Sequence, residues 1–311
     1  MSPDLLHVIA VINNPVRWET RPALFGEFVK HMLESGVHLT VVEATYGDIP
    51  PVFAPFAAPD IPINYIHVQA KTQVWIKENL INIGISRLPL NWKYVAWVDA
   101  DIIFRRKDWA KETVLQLQHY DIVQPWSDCY DLGPKGEHLQ YHRSFGANWV
   151  EKPEIIGKGA PYQFSHPGYA WAATRRALES LGSLSLLEHA ILGAGDHHLA
   201  LALVNKVRQS VPGGIHENYL KPLIELERRA KQHIAGNLGY VRSTIEHMWH
   251  GSKDLRKYIE RWDVLTKNKY DPETDIKKNV FGVIELSGSK PLLRADIDRY
   301  NRQRNEDSNS L

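Results

Sequence analysis

The stretch YVAWVDADIIF, Tyr94 to Phe104, runs apolar, presents two carboxylates separated by one alanine, and turns apolar again. Side chains two apart on a strand point to the same face. Asp99 and Asp101, read on a strand, therefore present both carboxylates to one hard cation or to the groups around it. Burying paired negative charge without a counter-ion is costly, which favours a bound divalent ion. The competing reading is a strand that ends in two solvated, turn-forming aspartates, and Asp-x-Asp alone does not separate the two. Two further stretches weigh in. In LGAGDHHLALALV, glycines precede Asp196 at the apparent start of an apolar helix, where an aspartate also serves as an N-cap. In HMWHGSKDLRKYIERW, His250 stands before Gly251 and is followed by Lys253, Arg256, Lys257 and Arg261.

These residues need a scaffold. LLHVIAVINNP reads as a short buried strand breaking into an Asn-Pro turn, and ALFGEFVKHMLESG carries apolar residues at helical spacing up to Gly36. VHLTVVEATYG and INYIHVQ follow as strands, WIKENLINIGISRL as an amphipathic helix stopping before Pro89, and KYVAWVDADIIF as another buried strand. Strands alternating with helices predict a parallel, doubly wound sheet, with ligands gathering beyond the carboxyl ends of its strands. Asn13, Glu43 and the Asp99/Asp101 pair all fall at such ends. After Asp121 a Gly-, Pro- and aromatic-rich stretch running to Tyr169 suits loops that line a second pocket. Helical patterns resume at ATRRALESLG, DHHLALALVNKV and LIELERRAKQHIAG, and the tail RYNRQRNEDSNSL is too polar to pack.

Bulk properties narrow the partners. The 311 residues are 43% hydrophobic, and 37 Lys and Arg nearly balance 36 Asp and Glu. No overall positive field is available to collect nucleic acid or an anionic membrane. No leader segment and no run of about 18 uncharged apolar residues is visible. The single cysteine, Cys129, forms no internal disulfide, as expected for a chain kept in a reducing cytosol, and nothing beside it marks an activated thiol. The expected location is cytoplasmic.

The strand ending in VDADIIF, the Gly-aromatic-Trp segment HPGYAWAATR before GAGDHH, and the late WHGSKDLRKYIER occur in an order that resembles the GT-A glycosyltransferases. It looks like the order in β-1,4-galactosyltransferases and polypeptide N-acetylgalactosaminyltransferases, with bacterial or phage glycosyltransferase-like proteins nearest. The chain departs from the galactosyltransferases at GAGDHH, where their pattern is Gly-rich and followed by consecutive acids. The resemblance implies an α/β, Rossmann-like GT-A single domain with a mostly parallel central sheet and a helical C-terminal extension. Residues 1–125 would form the nucleotide-sugar-binding half, 126–265 the acceptor-binding and catalytic half, and 266–311 an extension with a disordered tail.

The implied activity is metal-dependent transfer of a sugar from a nucleotide-diphosphate sugar to a hydroxyl of a glycan, a protein or a nucleic-acid base, with inversion. Asp101 would be the direct ligand of Mn²⁺ or Mg²⁺, Asp99 would complete the shell or bind the donor ribose, and His250 would be the third ligand; one imidazole favours Mn²⁺. His247 is a weaker ligand candidate, because its i,i+3 relation to His250 needs helical geometry that Gly251 interrupts. Asp196 would be the general base, taking the acceptor hydroxyl's proton, against the reading of a simple helix cap. Asn13, Arg17 and Arg21 would contact base or phosphate, Glu43 and Asn82 the nucleoside, and Lys253 and Arg256 the phosphates. Trp126, Gly168, Trp171 and His197 would face the acceptor. Two other classes remain: a nucleotidyltransferase, which calls for a glycine after the first strand where VINNPVRWE has none, and a glycan- or nucleic-acid-binding module on a degenerate transferase fold.

Overall fold

The computed structural model describes residues 5–52, 62–158 and 165–308. Strand β1 (Leu6–Asn13) leads into helix α1 (Thr20–Glu34), strands β2 (His38–Tyr46) and β3 (Ile63–Ala70), helix α2 (Lys77–Ile85) and strand β4 (Tyr94–Val98). Strand β5 (Ile102–Phe104), helix α3 (Trp109–Gln116), strands β6 (Ile122–Gln124), β7 (Asp128–Leu132) and β8 (His138–Arg143), and helix α4 (Phe145–Glu151) follow. Then come β9 (Ala170–Thr174), α5 (Arg175–Gly182), α6 (Gly195–Leu203), α7 (Glu217–His233), β10 (Leu238–Tyr240) and β11 (Thr244–His247). The chain closes with α8 (Arg261–Lys267), the hairpin β12 (Ile276–Lys278) and β13 (Ile284–Leu286), and α9 (Pro291–Gln303).

Seven strands form the central sheet in the order β10-β6-β9-β4-β1-β2-β3. All neighbours are parallel except β9, which runs antiparallel between β4 and β6. The fold is α/β with a mostly parallel sheet. β1 and β2 read as apolar runs because helices cover both faces of the sheet. Ile9 and Val42 point to one buried cluster, while Val8, Ala10 and Val41 point to the other. On α1, Phe25, Phe28, Val29 and Met32 recur at helical spacing and are buried.

Helix α2 lies so close to the sheet that a Cβ at Gly84 would stand 2.9 Å from Ile9 Cγ2 and 3.2 Å from Val42 Cγ2. Gly84→Ala is therefore expected to cost about 1–3 kcal/mol by overpacking. Urea denaturation checks this as a lower midpoint at unchanged slope.

Two expectations from the sequence are corrected here. KYVAWVDADIIF is not one strand: β4 ends at Val98 in the central sheet, and β5 begins at Ile102 in a separate four-stranded sheet ordered β5-β11-β7-β8. Asp99, Ala100 and Asp101 form the crossing between the sheets, so the shared-face rule for strands does not apply to them. Flanking apolar residues hid the break, because both sheets need them. The second correction concerns the tail. α9 buries Leu293, Ile297 and Tyr300 despite its charged composition, and the chain beyond it packs as far as Ser308; residues 309–311 lie outside the described residues. Ion pairs and backbone hydrogen bonds hold this segment where apolar area does not.

The two halves expected at 1–125 and 126–265 share both sheets. From the second half, β9 and β10 join β1–β4 and β6 in the central sheet, and β5 of the first half joins β7, β8 and β11.

Candidate active site

A cavity of about 680 Å³ opens where β1 and β4 end, and the Asp99–Asp101 crossing lies in its wall. The crossing is fixed at both ends by backbone: Asp99 N–H donates to the Tyr169 carbonyl at 2.8 Å, and the Asp101 carbonyl accepts from Met248 N–H at 2.9 Å. Strand register then assembles a cluster. His247 ends β11 opposite Ile102 on one side and opposite Asp131 of β7 on the other. After the turn at Met248 and Trp249, His250 returns to meet it.

The Nε2 atoms of His247 and His250 stand 3.1 Å apart. Asp101 Oδ2 is 3.1 Å from His250 Nε2 and 3.6 Å from His247 Nε2. Two imidazole nitrogens at that distance need a proton or a cation between them. Neighbouring ligands of an ion with bonds of about 2.1 Å sit roughly 3 Å apart, which this triad matches. Asp101 Oδ1 is buried without a hydrogen-bond partner among the described residues, leaving carboxylate capacity for an ion. The donor set of two imidazoles and one carboxylate thus fits a divalent transition ion.

Electrostatics in the triad follow from proximity. Burial works against the charge on Asp101, but His247 and His250 outweigh it and hold the carboxyl well below its usual range. Burial likewise disfavours the His247 cation, yet Asp101 and Asp131 push the imidazole up to about 9. Behind His247, Asp131 accepts from Nδ1 at 2.7 Å, contacts His142 Nε2 at 2.5 Å, and accepts from Tyr169 Oη at 2.8 Å and from Lys253. A carboxylate on Nδ1 fixes the tautomer and turns Nε2 toward the cavity. Arg256 Nη2 lies 3.0 Å from His250 Nε2, so an ion held by the triad would take the lone pair that now faces the guanidinium.

Across the cavity, Asp196 lies in the first turn of α6, whose N-cap position is Ala194 in a left-handed conformation with φ 88°. Asp196 is therefore not the N-cap, and its side chain faces the cavity. Lys77 Nζ bridges it to the crossing, 2.9 Å from Asp196 Oδ2 and 2.5 Å from Asp99 Oδ1. Burial would strip the Lys77 proton, but Asp196 and Asp99 hold its pKa above the usual value. Burial raises Asp99 to about 6, with Lys77 opposing and Asp196 and Asp101 adding. Asp99 thus points to Lys77 and stands outside the triad.

Glycine is required beside the carboxylate. A Cβ at Gly195 would stand 2.1 Å from Glu78 Oε1, and one at Gly168 would stand 3.0 Å from His166 Cε1 and 3.9 Å from Asp196 Oδ2. Gly168 keeps the space in front of Asp196 open. His197 also lines the cavity, where burial and the nearby Arg261 charge lower its pKa to about 4.

Of the other residues singled out by sequence, Asn13, Arg21, Lys253 and Arg256 line the cavity. Arg17, Glu43, Asn82, Trp126 and Trp171 do not. Arg17 is exposed in the loop after β1. Glu43 turns away to accept from Val52 N–H and from Tyr65 Oη at 2.9 Å. Asn82 ties α2 to the chain before α6, donating to the Leu186 carbonyl at 2.9 Å and accepting from its N–H at 2.7 Å. Trp126 and Trp171 are fully buried and present no surface to an acceptor, because their apolar bulk completes the two core clusters. Sequence reasoning undervalued His247 and missed Lys77, Asp131 and Glu306.

No family model and no curated protein matches the sequence. Among solved structures the chain is similar to S. aureus TarS 1-349 in complex with UDP-GlcNAc, at 10% identity and TM-score 0.46, covering 80% of this chain and 60% of that one. It is similar to Drosophila β1,4-galactosyltransferase 7 in complex with manganese, UDP-Gal and xylobiose, at 11% identity and TM-score 0.34, covering 65% and 62%. It is also similar to a Desulfovibrio desulfuricans protein assigned as a nucleotide-diphospho-sugar transferase, at 13% identity and TM-score 0.35, covering 98% and 99%. The chain spans about 60% of the length of the TarS structures. At these scores its chemistry has to be read from its own side chains.

Proposed function

We propose that the chain is a metal-dependent glycosyltransferase that moves a sugar from a nucleotide-diphosphate sugar to a hydroxyl acceptor with inversion. One observation supports this most: a single cavity holds a cation-fitting triad, Asp101, His247 and His250, together with a separate carboxylate, Asp196, and buried cations between and around them. Asp101, His247 and His250 would hold Mn²⁺, with Mg²⁺ less suited to two imidazoles. When bound, the ion supplies Lewis-acid neutralisation of charge on the departing diphosphate.

The chain's own residues do the rest. Arg21, Lys253 and Arg256 give the diphosphate side of the cavity fixed positive charge, and Asn13 closes its end at β1. Asp196 takes the proton of the acceptor hydroxyl as its oxygen attacks the anomeric carbon. The bond between that carbon and the donor phosphate oxygen breaks, and the electron pair leaves with the nucleoside diphosphate. Lys77 orients the Asp196 carboxylate from one side while it keeps its contact to Asp99. Tyr169 and His166, stacked at 4.1 Å, wall the cavity beside Gly168 and exclude water from the anomeric carbon.

The binding part of the proposal is tested by thermal unfolding with UDP, GDP, ADP, CMP and their sugars, each with and without Mn²⁺. A matching nucleotide at a hundredfold excess over its Kd is expected to add about 2.7 kcal/mol, and only with the metal present. Equal stabilisation in EDTA would contradict the assignment of the triad.

A further inference from the structure

The last described residues fold back across the cavity. Asp307 accepts from the backbone N–H groups of Glu19 and Thr20, both at 2.9 Å, and from Thr20 Oγ1 at 3.0 Å, supplying the N-terminus of α1 with a cap it lacks locally. The Ser308 carbonyl accepts from Trp249 Nε1 at 2.9 Å. Between these anchors the chain presses on Gly251, where a Cβ would stand 2.7 Å from the Asn305 carbonyl oxygen. Glu306 is thereby inserted into the cavity wall at 1% exposure.

Its carboxylate has three neighbours. Arg21 donates to it twice, from Nε at 2.7 Å and Nη2 at 2.8 Å, and Arg304 Nε donates at 3.0 Å. His250 Nδ1 lies 3.8 Å from Oε2, longer than a hydrogen bond but on the edge of the ring opposite the triad. Asp131 stands on the corresponding edge of His247, but closer, within hydrogen-bond distance of Nδ1 at 2.7 Å. Each imidazole of the triad thus has a buried carboxylate behind it, one from β7 and one from the C-terminal segment.

We infer that Glu306 is a positioning residue of this site: it fixes the Arg21 guanidinium as a charge in the wall on the diphosphate side and sets His250 with Nε2 toward Asp101 and His247. The inference rests on the transferase reading for the diphosphate and on the triad alone for the imidazole. A buried carboxylate persists only when paired, and pairing two arginines at once fixes it beside the His250 ring. A partner behind a metal-facing histidine orients the ring, and its loss typically costs 10–100-fold in metal affinity.

Calorimetric titration of the full chain with Mn²⁺, no nucleotide sugar present, tests this on the wild type, Glu306→Gln and Glu306→Ala. Both variants are expected to weaken Mn²⁺ binding by about tenfold or more. Glu306→Gln, close in shape, is expected to recover most of the thermal stability lost in Glu306→Ala without recovering the affinity. A purely structural role would restore both. Wild-type affinity in Glu306→Gln overturns the inference, as does a wild-type chain that binds no Mn²⁺. Tighter binding of a nucleoside diphosphate by Glu306→Ala also overturns it, because the carboxylate would then be competing for the phosphate's place. If the wild type binds Mn²⁺ yet cleaves no nucleotide sugar, the transferase reading fails while the Mn²⁺ comparison still decides the role of Glu306.

Discussion

Asp196→Asn is expected to lower the turnover of sugar transfer by about 10²–10⁴-fold while leaving donor affinity within a few fold of wild type. The asparagine keeps the volume and a hydrogen-bonding oxygen near Lys77, but it cannot accept the acceptor's proton. The split matters. A residue that served only to start α6 would change stability and affect the donor and turnover terms alike, whereas Asp196 is not the cap of that helix and its side chain faces the cavity. Steady-state kinetics on the identified donor read kcat and KM separately, and proton NMR of the product reads the anomeric configuration. Inversion is expected; a retained configuration would remove the need for a base at this place.

The second large effect concerns the triad. Asp101→Ala and His247→Ala are each expected to abolish measurable Mn²⁺ binding and to cut donor cleavage by about 10³-fold, the equivalent of several kcal/mol of charge stabilisation. Asp99→Ala should behave differently. Asp99 pairs with Lys77 and stands outside the triad, so its loss is expected to spare Mn²⁺ affinity while raising donor KM. Metal titrations of the three variants side by side separate an ion held by both aspartates from one held by Asp101 and the two histidines.

Much of the scaffold was legible in the sequence because its signals are local. Strands β1–β3 and helices α1 and α2 announce themselves as apolar runs and helical spacings, and those elements stand where the patterns lie, whereas the run that holds β4 and β5 hides the break between them. The place of Asp196 in the first turn of a helix, after Gly-Ala-Gly, was legible for the same reason. The remainder depends on contacts between distant segments. Lys77 reads as the polar start of an amphipathic helix, and only the return of the chain 119 residues later gives it Asp196. The i,i+3 spacing of His247 and His250 suggests a helix, whereas a strand end and a turn bring the two rings together. Glu306 sits in a polar tail whose composition argues for disorder. Its order comes from Arg21, 285 residues away, and from the α1 terminus that Asp307 caps. Charge pairing over such separations leaves no periodicity to read.

The central claim is tested most directly by nucleotide release. The wild-type chain would be incubated with a panel of nucleotide-diphosphate sugars and Mn²⁺, with and without EDTA, beside Asp101→Ala. Release of one nucleoside diphosphate that stops in EDTA and is lost in Asp101→Ala is the expected result, and it names the donor. Release that is equal in the variant or indifferent to EDTA, or no release from any donor, would contradict a metal-dependent transferase site in this cavity.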